Sequence, residues 1–168
     1  MVVNKFIFNV KSSGLDIKTV YDIGAFRGAW SMDLRYSVLS NSKFFLFEGN
    51  PECEESLKER NMPYFMTVLS NPGRGDVDFF NGTNTGDSYY KETAKTYDTI
   101  GSIRVPTQTL DDIIEKSELP IPQFIKLDTQ GSELDILKGA ERNIMGKTEL
   151  IFTEMPIIEY NKGAPKFS

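Results

Sequence analysis

Three short segments gather residue types that can handle a small polar ligand. Asp22-Ile23-Gly24-Ala25-Phe26-Arg27-Gly28 leads out of an apolar run into a turn. Its two glycines let the backbone bend tightly and come close to a bound group. Glu48 closes a second apolar run, 24 positions after Gly24. An acidic residue about 20 positions beyond a glycine turn is where a ribose diol is hydrogen-bonded. Lys126-Leu127-Asp128-Thr129-Gln130-Gly131-Ser132-Glu133 is a third turn, with Lys126, Asp128 and Glu133 close together. In that order, at successive strand ends, the three segments suit a nucleoside-bearing cofactor. The spacing of Gly24 and Gly28 is not the G-x-G-x-x-G dinucleotide fingerprint, which argues against a nicotinamide-dependent oxidoreductase.

Composition narrows the chemistry further. The chain has 168 residues and no histidine. Ser-His-Asp and Cys-His nucleophilic machinery is therefore excluded, as is any imidazole metal ligand. A net charge of −5 argues against a grip on nucleic-acid phosphates. No apolar run reaches the roughly 20 residues of a membrane span, and residues 1–10 lack a signal-peptide pattern. The single Cys53 has no internal partner, which fits a reducing, cytoplasmic setting.

The elements that must position these residues follow from patterning. Apolar runs at 20–23, 44–47, 64–69, 124–127 and 149–153 read as five strands, buried on both faces in a parallel sheet. Helical stretches lie between them, so the fold class is α/β. Trp30, Leu34 and Val38 recur every four residues, a stripe that faces a sheet and places Trp30 in the core. Asn50-Pro51 reads as a helix start, with Glu52, Glu54 and Glu55 in the first turn and Lys58 and Arg60 in the last. In that first turn the thiol pKa of Cys53 could fall. Thr109 to Asp112 and Ser132 to Asp135 resemble capping boxes. Residues 76–80 and 103–105 suit edge strands, and 81–100 a long polar loop. Tyr89, Tyr90 and Tyr97 in that loop could stack on a sugar ring.

Val20 to Gly28, Phe45-Leu46-Phe47-Glu48, Thr109 to Asp112 and Ile125 to Ala140 together resemble the FkbM-like family of S-adenosylmethionine-dependent methyltransferases. The last block is the most distinctive, following a Lys-Ile-Asp-x-(Glu/Gln)-Gly-x-Glu-x-x-x-Leu-x-Gly-Ala pattern. Glu154 also matches an acidic position of that family. The resemblance implies a Rossmann-like, three-layer methyltransferase sandwich with a mostly parallel sheet. It implies S-adenosylmethionine as cofactor. Asp22, Gly24, Ala25, Phe26 and Gly28 would shape the turn around its methionine part, and Glu48 would hold the ribose. Asp128 would lie by the cofactor amine or the reacting centre. The family usually carries Asn where this chain has Phe26, so a side-chain amide contact is absent there.

The implied activity is O-methylation of a hydroxyl on a sugar, glycan or polyketide-like small molecule. The alternative is a non-catalytic nucleoside-binding or interaction module derived from the same fold. Without histidine, a base for the hydroxyl proton must be a carboxylate, a lysine or water. Asp128 and Glu133 are the candidates, with Lys126 if desolvation lowers its pKa. Lys126 as a strand residue facing away from Leu127, and Glu133 as a first-turn dipole partner, are the plainer readings. No metal is expected, although Asp128, Glu133 and Glu154 are oxygen ligands of the right type.

One domain is expected over 1–168: a lead-in at 1–19, a cofactor-binding half at 20–80, the polar loop at 81–100, a second half at 101–160 and a tail at 161–168. A seven-stranded sheet would need roughly 40 residues more after strand five. The C-terminal edge of the sheet is therefore expected to be missing. The open edge of strand five would then take cover from a partner or a second copy.

Overall fold

A computed structural model describes residues 2–82, 86–94, 99–154 and 158–166. Its centre is a five-stranded sheet in the order β3-β2-β1-β7-β8. The strands are β1 (Thr19–Ile23), β2 (Lys43–Glu48), β3 (Tyr64–Met66), β7 (Phe124–Leu127) and β8 (Leu150–Thr153). Every pairing within it is parallel. The chain moves outward from β1 to β2 and β3, then returns to β7 on the other side. The strand order thus reverses between β1 and β7, and their carboxyl ends flank the crevice where open α/β sheets bind ligands.

Side-chain alternation explains the three layers. Val20, Phe44, Leu46 and Phe124 point to one face and pack with helices α1 (Val2–Ser12), α2 (Ala29–Ser37) and α3 (Glu54–Glu59). Tyr21, Ile23, Phe45, Phe47, Ile125 and Leu127 point to the other, against α4 (Leu110–Lys116) and α5 (Glu133–Lys138). Both faces are covered, so the strands read as unbroken apolar runs. The Trp30-Leu34-Val38 stripe packs into the first layer as expected, with the Trp30 ring 5.8 Å from that of Phe124.

Two expectations change. Residues 64–69 are not one strand. Thr67 N–H donates to the Glu48 carbonyl (2.7 Å), and the chain then leaves the main sheet. β4 (Val68–Leu69) pairs with β6 (Ser102–Gln108), which also pairs antiparallel with β5 (Asp76–Phe80). A short apolar run carries no mark of which neighbour it will join. β6 is accordingly the middle strand of this second sheet and not an edge, while β5 is an edge. The lead-in is α1, whose Val3, Ile7 and Val10 fall at helical spacing; Ile7 is fully buried.

The caps divide similarly. Asn50 accepts from Glu52 N–H (2.9 Å) over a 3₁₀ turn (Pro51–Cys53) that precedes α3. Thr109 accepts from Asp112 N–H (3.1 Å) at the start of α4. Ser132 makes no such bond to α5. The Asp135 expected to complete that box instead faces the 81–100 segment, where it accepts from Tyr89 and Tyr90.

Candidate functional site

A cavity of about 260 Å³ opens at the carboxyl ends of β1, β2 and β7. Gly24, Ala25 and Phe26 form one wall, Glu48 a second, and Lys126 and Asp128 a third. The second sheet contributes Val68, Leu69 and Phe79, and the 81–100 segment adds Asp87, Ser88 and Tyr89. The site therefore offers carboxylates at its edges and an apolar slot between them.

The glycine turn is held by its neighbours. Gly24 and Ala25 N–H groups both donate to the Phe47 carbonyl (3.0 and 3.1 Å). Gly24 has φ 74°, and a Cβ there would collide with the Asp128 carbonyl, so no larger residue fits. Gly28 caps α2 with φ 72° and lies against Arg60 and Leu46, outside the cavity.

Phe26 is also left-handed, at φ 51°. Asn tolerates that region far better than a β-branched residue. Phe26→Asn should therefore be more stable than Phe26→Val by about 1–2 kcal/mol. Urea midpoints decide this, and equal midpoints would show that the backbone there is unstrained.

Glu48 is almost fully buried and uses both oxygens locally. Oε2 accepts from Phe26 N–H (2.7 Å) and Oε1 from Asn50 N–H (2.8 Å). One carboxylate thus shapes the turn after β1 and the start of the next helix. Burial pushes its pKa up, against the pull of those backbone donors. A carboxylate oxygen that accepts one hydrogen bond can still accept another, and Glu48 lines the cavity.

Asp22 and Lys126 are opposite one another in the β1–β7 register, on the same face. Lys126 Nζ lies 3.0 Å from Asp22 Oδ1 and donates to the Gly24 carbonyl (2.7 Å). Asp22 Oδ2 accepts from Ser31 (2.6 Å). The Asp22 side chain is fully buried beneath the turn and does not line the cavity. Through Lys126 it supports the Gly24 turn from below, without facing the cavity itself. Burial works against charge on Lys126, but Asp22 and Asp128 outweigh it and hold its pKa above the ordinary lysine value. The condition under which Lys126 could act as a base is reversed. Its strand orientation away from Leu127 is as the alternation required.

Asp128 stands at the open side of the site. Oδ2 is 3.5 Å from Lys126 Nζ and Oδ1 accepts from Gln130 (3.0 Å). Glu133 does not reach the cavity. It accepts from Thr129 N–H (2.8 Å), Thr129 Oγ1 (3.2 Å) and Gly131 N–H (2.9 Å), clamping the turn that carries Asp128. Asp128, Glu133 and Glu154 do not converge, and among the described residues no cluster of three Cys, Asp or Glu side chains could hold a metal ion. Cys53 is buried, and burial pushes its thiol up to about 12 instead of down.

The polar loop supplies residues that patterning did not single out. Asp87 accepts from Asn50 Nδ2 (2.7 Å) and Gly82 N–H (2.7 Å) at the cavity edge. Tyr89 and Tyr90 do not project as a platform. Both hydroxyls donate to Asp135 (3.1 and 2.7 Å), and the Arg74 guanidinium lies over both rings. Tyr89 lines the cavity from this anchored position; Tyr97 lies outside the described residues. Trp30 belongs to the core layer and also lines the cavity, with Lys126 Nζ 5.6 Å from its ring.

The buried carboxylates give stability a pH dependence. Burial raises Glu48, Asp87 and Glu133 above their ordinary values. Such groups bind a proton more readily folded than unfolded, so stability falls as pH rises from about 4 through their folded values. Asp112, Glu115 and Glu159, held low by Thr109, Arg142 and the Gly163 N–H, lose their contribution as pH drops below about 4. The melting temperature should be higher at pH 5 than at pH 7, and Glu133→Gln should shrink that difference. An unchanged difference would show that Glu133 does not contribute to it.

Known proteins resemble this chain in sequence and in fold. The methyltransferase FkbM domain pattern matches residues 22–167. The chain is 29% identical over 105 residues to the hexuronic acid methyltransferase AglP of Haloferax volcanii, covering 60% of this chain and 42% of AglP. It is 27% identical over 145 residues to the 2-O-methyltransferase NoeI of Sinorhizobium fredii, covering 73% of this chain and 57% of NoeI. The chain thus spans about half the length of these curated relatives. A crystal structure of the methyltransferase FkbM from Methylobacillus flagellatus superposes with a TM-score of 0.52 at 21% identity, over 84% of this chain and 35% of that one. This last likeness shows the shared fold. No helix among the described residues is long and apolar enough to cross a membrane.

Proposed function

This chain belongs to the methyltransferase FkbM family, and from that premise we propose that its cavity binds S-adenosylmethionine and serves O-methylation of a sugar hydroxyl. The observation that carries the cofactor half is the joining of the Gly24 turn to Glu48 through the Phe26 N–H. A ribose-binding acid and a close-approach backbone are built as one unit. The fit is good in composition too: Val68, Leu69 and Phe79 offer an apolar slot beside that acid. Glu48 would hold the ribose, Gly24 and Ala25 the amino-acid end, and Asp128 the amine or the reacting centre.

S-adenosylmethionine supplies a methyl group on a sulfonium, whose departure as a neutral thioether needs no acid. The protein is left with two tasks: hold the acceptor hydroxyl in line and accept its proton. Asp128, a cavity-lining carboxylate, would serve the second. Lys126 and Gln130 orient its two oxygens, and Glu133 fixes the turn beneath it. Glu133 and Lys126 are therefore positioning residues. The acceptor class rests on the relatives, one named for hexuronic acid and one for 2-O-methylation.

The test is incubation with methyl-labelled S-adenosylmethionine and a panel of hexuronic and neutral sugars. Label on a ring hydroxyl, lost in Asp128→Asn, is expected. Label on the carboxylate oxygen, or full activity of Asp128→Asn, would overturn the reading.

A further inference from the structure

Asp87 is a cavity-lining carboxylate without an assigned role, on a segment whose composition suggested only a loop. It is not placed at random. Asn50 joins it to Glu48: the Asn50 backbone N–H donates to Glu48 Oε1 (2.8 Å), and the side-chain amide donates to Asp87 Oδ2 (2.7 Å). The remaining Asn50 oxygen caps the following helical turn through Glu52 N–H (2.9 Å), so the amide cannot rotate without losing that bond. Gly82 N–H fixes the other Asp87 oxygen (2.7 Å). The carboxylate is thus oriented from two sides, and each oxygen can still accept another hydrogen bond.

Its neighbourhood is anchored as well. Two residues on, Tyr89 is tied to Ser70 (3.0 Å) and Asp135 (3.1 Å). Asn161 Nδ2 then donates to the Tyr90 carbonyl (2.8 Å). A segment needed only to connect β5 to β6 would not require a half-buried carboxylate lining a cavity beside Glu48. Keeping two carboxylates close together costs free energy unless donors meet them. Hydroxyl and amine donors of a nucleoside are such groups.

We propose that Asp87 is a second nucleoside-binding carboxylate, accepting hydrogen bonds from the cofactor's nucleoside portion alongside Glu48. This rests on the reading of the cavity as an S-adenosylmethionine site. It adds a contact delivered by the β5–β6 connection to those delivered by the sheet ends. The rival role is a latch: Asp87 could merely hold the loop to Asn50.

The two roles separate by calorimetric titration of four proteins: the parent, Asp87→Ala, Asp87→Asn and Asn50→Ser. Asn50→Ser keeps a helix cap but removes the amide that reaches Asp87. The ligands are S-adenosylhomocysteine and 5′-methylthioadenosine, which lacks the amino-acid end. Melting temperatures of the unliganded proteins confirm folding. Asp87→Ala should weaken both ligands by roughly tenfold or more, the loss of a charge-assisted hydrogen bond. Asp87→Asn should weaken both by less, and Asn50→Ser by clearly less than Asp87→Ala. Equal losses in Asn50→Ser and Asp87→Ala would make Asp87 a latch and overturn the inference. So would unchanged affinity in both Asp87 variants, or a loss confined to S-adenosylhomocysteine. A folded parent that binds neither ligand would overturn the cavity assignment itself, and the inference with it.

Discussion

The Lys126→Met protein is expected to lose about 3–5 kcal/mol of stability relative to the parent. Asp22 is fully buried and meets Lys126 Nζ at 3.0 Å. Removing the ammonium leaves a carboxylate with Ser31 but without a counter-charge. It also frees the Gly24 carbonyl, which accepts from the same ammonium. The penalty is one of leaving a buried charge alone, and is larger than the net worth of the pair. Replacing both partners, as in Asp22→Leu with Lys126→Met, should therefore recover much of the loss. Urea denaturation of the three proteins measures this. A single variant within 1 kcal/mol of the parent would mean that the pair does not carry this cost.

Glu48→Ala should bind S-adenosylhomocysteine about 100-fold more weakly than the parent, or beyond detection. Two hydrogen bonds from the ribose to a charged acceptor are at stake, each worth about 1.5–3 kcal/mol. The variant also releases Phe26 N–H and Asn50 N–H, so the turn that should receive the amino-acid end loosens. Glu48→Gln keeps an oxygen for one donor and turns an NH₂ toward the other, so its loss should fall between parent and alanine. Titration calorimetry on samples of confirmed fold provides the comparison. Parent-like affinity in Glu48→Ala would remove the ribose assignment.

Much of this site is legible in the linear sequence because period-two alternation is strict in buried parallel strands. Once Val20 to Ile23 and Phe124 to Leu127 are strands, Asp22 and Lys126 can share a face. What the pattern does not contain is the register that puts them opposite one another. The Gly24 turn and Glu48 are legible for a similar reason, since each ends an apolar run. The β4 departure at Thr67 is not, because the choice between β2 and β6 depends on strands up to 40 residues away in the chain. Asp87 sits in a run of Gly, Asn, Ser and Thr without periodicity, and Asn50, which places it, lies 37 residues earlier. Asp135 illustrates the opposite failure. A local rule read it as a cap, and tertiary contacts with Tyr89, Tyr90 and Arg74 took it instead. Cys53 follows the same logic: position in a first helical turn favours a thiolate, but burial beside Glu48 and Asp87 outweighs it.

The reading of the cavity stands most directly on one titration. S-adenosylhomocysteine added to the folded parent chain should give saturable heat at one site per chain and raise the melting temperature as its concentration exceeds the Kd. No heat and no shift, in a sample whose cooperative unfolding shows it to be folded, would contradict the assignment of this cavity to S-adenosylmethionine.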